Sequence, residues 1–343
     1  MKKTIVDIAK EANVSVTTVS FVLNNKADSV SKETAKRIRD IANKYHYVPN
    51  HFAIGLVTKK TKTIGLIVPD ISNNFFSELA KSVEHYCNNS GYSLVLSNTN
   101  NQPEKDFEMV DLLNNRGIDG LLIAFSQTED YPERERFLNA LKQIETPIVA
   151  VDSKIEGIDL PGVSIDHVKG GYIATKHLID LNHRRIGCIT GPAHSYTAIR
   201  RLKGYRNALS EKNIPYDENL VIAGNYRYQD GYEAAKKLLR MNVTAIFASN
   251  DLMAYGVYRA AQEAGKSIPG ELSVIGFDDL VFSEIMTVPL TTVHQSVEEL
   301  GKKAWELLFG RISSEESGAD YIELEPTLVK RSSTALRKDE TGK

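Results

Sequence analysis

The chain has 343 residues, 42% of them hydrophobic and 25% charged, which is long enough for two or three domains with their own cores. Net charge is only −2, yet residues 1–60 hold eleven Lys/Arg against five Asp/Glu, a local +6 that leaves −8 on the remainder, so a basic module joined to an acidic body is expected. No apolar run approaches the length of a membrane span and no apolar segment follows Met1-Lys2-Lys3-Thr4, which argues against insertion and secretion and for a cytoplasmic protein whose Cys87 and Cys188 are reduced core thiols.

Residues 4–47 divide into three short helices. Thr4 is an N-cap with Asp7 three residues on, and Ile5, Ile8, Ala9 and Ala12 form one apolar stripe. Asn13-Val14-Ser15 breaks the pattern: Asn tolerates a left-handed turn, and the Ser15 hydroxyl can cap the next helix. That second helix, about Val16 to Leu23, turns Val19, Val22 and Leu23 inward and presents Val16, Thr17 and Ser20, with Phe21 one turn on. Ser31 caps a third helix to about Tyr45, with Ala35, Ile38, Ile41 and Ala42 inward and Lys32, Lys36, Arg37 and Arg39 outward. A three-helix bundle of this size can bind protein. Small polar side chains on a basic face suit entry into a DNA major groove better, and they predict a helix-turn-helix. After Pro49, a short apolar stretch from Asn50 to Val57 gives way to polar Thr58–Lys62, the composition of a connector.

From residue 63 apolar strands alternate with amphipathic helices. Strands are expected at Ile64–Val68, Ser93–Leu96, Gly120–Ala124 and Ile148–Val151, with helices near Phe75–Ser90, Glu104–Asn115 and Arg134–Gln143. A second set of strands follows at Ile186–Thr190, Val221–Ala223, Ala245–Ala248 and Val274–Phe277, with helices near Ala198–Lys212, Gly231–Arg240, Met253–Ala264 and Val297–Phe309. The fold class is therefore α/β: two doubly wound parallel-sheet lobes with a cleft at the carboxyl ends of the strands, preceded by the helical headpiece. The residues at those strand ends are Asn73-Asn74-Phe75-Phe76, Asp152, Asn250-Asp251, Asp278-Asp279 and Gln295. Acids and amides that take hydroxyl pairs, beside flat rings that stack on C–H faces, make up sugar-recognition chemistry, although loop Asp and Asn also serve as caps and turns.

No GxSxG, P-loop, HExxH or strand-following GxGxxG occurs, and the eight histidines lack ligand spacing, so neither enzyme, metal nor cofactor is expected. A secreted sugar-binding protein would carry an apolar leader and no basic headpiece.

The stretches Thr4–Ala9, Asn13-Val14-Ser15, Thr18-Val19-Ser20, Leu23-Asn24 and Tyr47-Val48-Pro49-Asn50 resemble the headpiece of the lactose-repressor (LacI/GalR) family of bacterial regulators. That resemblance implies an operator-binding transcriptional repressor in which Val16 and Thr17 are the main base readers. Phe21 stands where relatives often carry a basic or polar reader. A ring can pack on a thymine methyl but cannot make the bidentate guanine contact of Arg. The set implied to face DNA is Thr4, Ser15, Val16, Thr17, Ser20, Phe21, Asn24 and Ser31, with Asn50, Ala53 and Leu56 from a hinge helix. In that hinge Leu56 matches the family's minor-groove leucine and Ala53 the small residue that lets two hinges approach. The implied division is a headpiece at 1–48, a hinge and linker at 49–62, an effector-binding and dimerisation core at 63–337, and a polar tail at 338–343.

The body resembles the family's sensor domains and the periplasmic sugar-binding proteins through Gly191-Pro192, Arg201–Tyr205, Asn250-Asp251, Gly276–Asp279 and Pro289–Thr292. Carried over, Asn73, Phe75, Phe76, Asp152, Arg201, Tyr226, Asn250, Asp278 and Gln295 line the effector pocket. Gly91–Thr99, Cys188–Pro192 and His294-Gln295 look most like ribose-operon repressors, which implies ribose or a related pentose; Ser153 stands where ribose-binding proteins hold the sugar with Arg. The resemblance also implies a homodimer on a pseudo-palindromic operator, and the short tail without heptads favours a dimer over a coiled-coil tetramer. Some members are gated by a phosphorylated carrier protein, and that is the alternative control.

Overall fold

The structure, a computed structural model, describes residues 3–23, 30–47, 60–126, 134–155, 157–314 and 321–337. They fall into two compact units, Met1–Thr61 and Lys62–Lys343. In the first, α1 (Ile5–Ala12), α2 (Val16–Leu23) and α3 (Lys32–Lys44) enclose a small core of Ile8, Ala9, Ala12, Val19, Val22, Ala35 and Ile38. Local chemistry sets each boundary. Thr4 and Asp7 form a reciprocal capping box that starts α1. Asn13, at φ 53°, ends α1 in the left-handed conformation. The Ser15 hydroxyl accepts from the Thr18 N–H at 3.1 Å, and that of Ser31 accepts from the Thr34 N–H at 3.2 Å. Glu11 and Lys44 pair at 2.9 Å between α1 and α3.

The second unit has two lobes. One sheet has the order β11-β5-β4-β3-β1-β2, all parallel, from β1 (Thr63–Val68), β2 (Ser93–Asn98), β3 (Gly120–Ile123), β4 (Ile148–Val151), β5 (Gly162–Ile165) and β11 (Tyr321–Leu324). Helices α4 (Asn74–Asn89), α5 (Pro103–Asn115), α6 (Arg134–Gln143) and α12 (Val297–Ser313) belong to this lobe. The other sheet has the order β12-β10-β9-β8-β6-β7, from β6 (Ile186–Thr190), β7 (Val221–Ala223), β8 (Ala245–Ala248), β9 (Ser273–Asp278), β10 (Thr291–His294) and β12 (Thr327–Val329). With it pack α7 (His167–Asp180), α8 (Tyr196–Glu211), α9 (Tyr228–Leu239), α10 (Asp251–Glu263) and the short α11 (Val281–Ile285). The chain crosses between lobes three times, from β5 to α7, from β10 to α12 and from β11 to β12.

Some details go beyond or differ from expectation. The strands expected in the second sheet do run parallel; an additional edge strand, β12, runs antiparallel to β10. The α9 helix begins at Tyr228 and not near Gly231, and α12 runs on to Ser313, where Ser314 at φ 58° stops it. Elements β5, α7, α11, β11 and β12 have weak patterns of their own. In α7 the pair Gly170-Gly171 lowers helix propensity, but Gly170 makes room for the Phe277 ring and Gly171 lets the next helix come close. A Cβ on Gly171 would sit 2.1 Å from the Arg201 carbonyl oxygen, and one on Gly204 would sit 2.1 Å from that of Val168. Helices α9 and α10 repeat the device, with Gly231 against Met253 and Gly256 against Tyr228.

Candidate functional sites

In the headpiece, Val16, Thr17 and Phe21 are exposed on α2, and Ser20 is half-buried. Val16 is 41% and Phe21 43% exposed, so both are open to contact from solvent. Thr4, Ser15 and Ser31 occupy helix N-caps, so their hydroxyls are already engaged in shaping the surface. Asn24, Asn50, Ala53 and Leu56 lie outside the described residues.

Between the lobes lies a cavity of about 320 Å³. All nine residues carried over for an effector line it. Asn73, Phe75 and Phe76 come from the start of α4, and Asp152 directly follows β4. The opposite lobe supplies Arg201 from α8, Tyr226 after β7, Asn250 at the start of α10 and Asp278 at the end of β9, while Gln295 stands at the crossover after β10. The wall also includes Ser153, which the resemblance had already placed at a sugar-holding position, and Asp70, Asn100, Asn101, Phe125, Thr197, Asn225 and Arg227, none of which was a candidate. Most follow the carboxyl ends of β1, β2, β3, β4 and β7, so the rule that α/β ligands bind there would have flagged them.

Several of these side chains are committed to architecture as well. Asn73 Oδ1 accepts from the Phe75 N–H at 3.2 Å and caps α4. Asn250 Oδ1 accepts from the Met253 N–H at 3.0 Å, while its Nδ2 donates to the Tyr226 carbonyl at 3.0 Å. The Phe75 and Phe76 rings meet edge-on at 5.1 Å and give the cavity an apolar wall. Tyr226 shares a 2.8 Å hydrogen bond with Thr197. Its ring lies where a Cβ on Gly191 would be, 2.1 Å from Cζ, which explains the glycine in Gly191-Pro192.

The buried charges are arranged around Arg201, which is 4% exposed. Its guanidinium stacks on Phe277 at 3.8 Å, donates to the Ser249 carbonyl and, through Nε, to His167 Nδ1 at 3.3 Å, and lies 3.9 Å from Asp278 Oδ1. Burial pushes the Asp278 carboxyl well above its ordinary range, although Arg201 works against that shift. Gln295 Nε2 donates to Asp278 Oδ1 at 2.6 Å. Of the acceptors on this wall, Gln295 Oε1 has no hydrogen-bond partner among the described residues, and Asp152 Oδ1 has none beyond a long 3.4 Å approach from His167 Nε2. Unpaired buried acceptors cost stability unless something donates to them, and here both belong to a cavity wall. Asp152, Tyr226 and Asp278 also have φ of 65°, 62° and 117°, a concentration of left-handed non-glycine residues at one site. Behind the wall, Asp251 accepts from Thr292 Oγ1, the Leu280 N–H and Ser283 Oγ at 2.6, 2.9 and 2.6 Å, and burial pushes it up to about 6.

Among the described residues there is no group of three or more metal-ligating side chains, and no helix is long and apolar enough to cross a membrane. The chain matches the bacterial regulatory proteins of the lacI family over residues 4–50 and a periplasmic binding protein-like domain over residues 175–334. It is 37% identical over 339 residues to the HTH-type transcriptional regulator DegA of Bacillus subtilis (strain 168), covering 98% of this chain and 99% of the relative. It is 39% identical over 335 residues to the HTH-type transcriptional repressor PurR of Histophilus somni (strain 129Pt), covering 96% and 98%. Among solved structures, the lac repressor dimer bound to operator and the anti-inducer ONPF superposes with a TM-score of 0.87 at 26% identity, over 98% of this chain and 100% of that one. A LacI family transcriptional regulator from Enterococcus faecium with bound ribose superposes at 0.72 with 34% identity, over 80% and 100%. The chain thus belongs to the LacI family: it is a DNA-binding transcriptional regulator with a periplasmic-binding-protein-like sensor, and its relatives are regulators, not enzymes.

Proposed function

We propose that the protein represses a sugar-utilisation operon in the cytoplasm and that a neutral polyol, ribose or a related pentose, sets its operator affinity from the cleft between the lobes. The observation that carries this reading is the cavity's chemistry. Gln295 Oε1 is an unpaired acceptor and Asp152 Oδ1 is engaged only by a long 3.4 Å approach of His167 Nε2, so both suit hydroxyl donors; Phe75 and Phe76 supply an apolar wall for C–H groups, and about 320 Å³ suits a monosaccharide. Arg201 is engaged by the protein itself, through the Ser249 carbonyl, His167 Nδ1 and, at 3.9 Å, Asp278 Oδ1. The ribose-bound relative from Enterococcus faecium is in keeping with that class.

On the DNA side, Val16 and Thr17 read base edges from α2, with Thr4, Ser15, Ser20 and Ser31 around them. Asn24, and Asn50, Ala53 and Leu56 of a hinge at 49–62, complete the contact set. Phe21 packs on a thymine methyl and not on guanine. The protein acts as a homodimer on a pseudo-palindrome. Exposed Leu96 and Leu112 on one lobe, and Val281, Phe282 and Ile285 on the other, support a second copy as their cover. The effector works by differential affinity for two arrangements of the lobes.

Operator gel shifts with a panel of pentoses, hexoses and purines, followed by calorimetry, test the reading. A pentose that changes the shift supports it, and silence toward every pentose overturns it. If only a phosphorylated carrier protein moves the shift, control passes to that protein instead.

A further inference from the structure

His167 is fully buried and does not line the effector cavity, yet it touches two residues that do. It is the first residue of α7, at the first crossing between lobes. Its Nε2 lies 3.2 Å from the carbonyl oxygen of Asp152 and 3.4 Å from Asp152 Oδ1, on the first lobe. Its Nδ1 lies 3.3 Å from Arg201 Nε, on the second.

These distances determine the protonation state. Arg201 Nε carries a hydrogen and has no lone pair to offer, so His167 Nδ1 must accept. The single ring proton is then on Nε2, where both neighbouring Asp152 oxygens are acceptors. A second proton would set an N–H against a guanidinium N–H. Around the ring stand Arg201 and Tyr196 from α8, Asp152 from the loop after β4, and apolar Phe277 from β9. Asp152 Oδ1, 3.4 Å from Nε2, faces that same N–H. Asp152 needs such a hold, since its φ of 65° is disfavoured for a non-glycine residue and its carboxylate must stay placed at the cavity wall.

We infer that His167 is a positioning residue, held as the neutral Nε2–H tautomer, that ties Asp152 of one lobe to Arg201 of the other so that the two ligand-facing groups move as one unit. The inference rests on the cleft being the effector site. It adds that contact with Asp152 is transmitted to the opposite lobe through one imidazole. Burial, which lowers the pKa of His167, acts in the same direction.

The test uses the full-length protein and needs no effector. Nitrogen-15 spectra of histidine- and arginine-labelled protein should show His167 as the Nε2–H tautomer, unchanged between about pH 5 and 8, where an ordinary histidine titrates. Asp152→Asn should move the Arg201 Nε–H resonance, and that response should vanish in both His167→Gln and His167→Asn. Gln keeps the donor toward Asp152 and Asn keeps the acceptor toward Arg201, so neither spans both; two variants also guard against one that fails to fold. An Nδ1–H tautomer, ordinary titration, or a response that survives in the variants would overturn the inference. In a separate arm with D-ribose as probe, His167→Phe should weaken binding at least tenfold, an expectation set by loss of one charge-assisted contact. No heat from wild-type protein would sink the pentose reading alone, leaving the spectra to decide the tie.

Discussion

Replacing Arg201 by Met and Asp278 by Asn should have sharply unequal effects, although the two residues face each other in one buried pair. Met fills much of the guanidinium's volume but donates nothing, so the Ser249 carbonyl and His167 Nδ1 each lose their donor in the protein interior. Each orphaned acceptor costs about 1–3 kcal/mol. Removing one partner of a buried pair typically costs about 3–5 kcal/mol in all, and Asp278 limits the loss by holding its proton. Asp278→Asn is different. Burial already drives that carboxyl toward its neutral form, an amide oxygen can keep accepting from Gln295 Nε2, and Asn tolerates positive φ. We expect less than about 1.5 kcal/mol, the net worth of an ordinary hydrogen bond. Urea unfolding of the full chain, followed by far-ultraviolet circular dichroism and by emission of the single tryptophan, Trp305 in the first lobe's core, measures both and shows whether the lobes melt together. If Arg201→Met unfolds within about 1 kcal/mol of wild type, or if Asp278→Asn costs as much, the reasoning fails.

Three further outcomes are expected. Gly204→Ala places a Cβ 2.1 Å from the Val168 carbonyl oxygen and 2.5 Å from the Tyr172 nitrogen, backbone atoms that cannot swing aside. It should cost about 1–3 kcal/mol or more and weaken effector binding by spreading α7 from α8, whereas unchanged thermal unfolding would contradict the close approach. Because the folded-state pKa of Asp251 is raised from 3.8 to about 6, the native state holds a proton the unfolded chain has released. Its contribution is full below pH 3.8 and is lost as pH rises to about 6, a slope worth up to about 3 kcal/mol. Asp251→Asn should flatten that slope in urea titrations at successive pH values, and a variant with the wild-type slope would remove Asp251 as its source. Phe282→Asp, at an exposed position on α11, should shift the protein from dimer to monomer in analytical ultracentrifugation and weaken operator binding at least tenfold, since a single headpiece grips one half-site; an unchanged sedimentation profile would exclude α11 from the interface.

Features settled within a few residues were open to reading from the sequence. The Thr4–Asp7 box, the left-handed Asn13 and the caps at Ser15 and Ser31 all act over two or three positions, where side-chain chemistry decides the backbone's course. The strand ends that meet at the cavity were equally visible, because buried parallel strands are near-continuous apolar runs with polar residues just beyond. What no local pattern could show depends on partners far along the chain. Tyr321 pairs with Gly162, and Thr292 with Val329, so β5, β11 and β12 are strands because a sheet edge is waiting for them. Gly171 and Gly204 matter only because two helices cross backbone to backbone. Alone, His167 reads as one more scattered histidine; folding brings it between Asp152 and Arg201, fifteen and thirty-four residues away. The sequence by itself determined the family, the headpiece and the residue types of the cleft, since these rest on local periodicity and motif. The tertiary structure decided which acceptors remain unpaired and which buried groups hold each other in place, because burial and pairing exist only once distant segments have met.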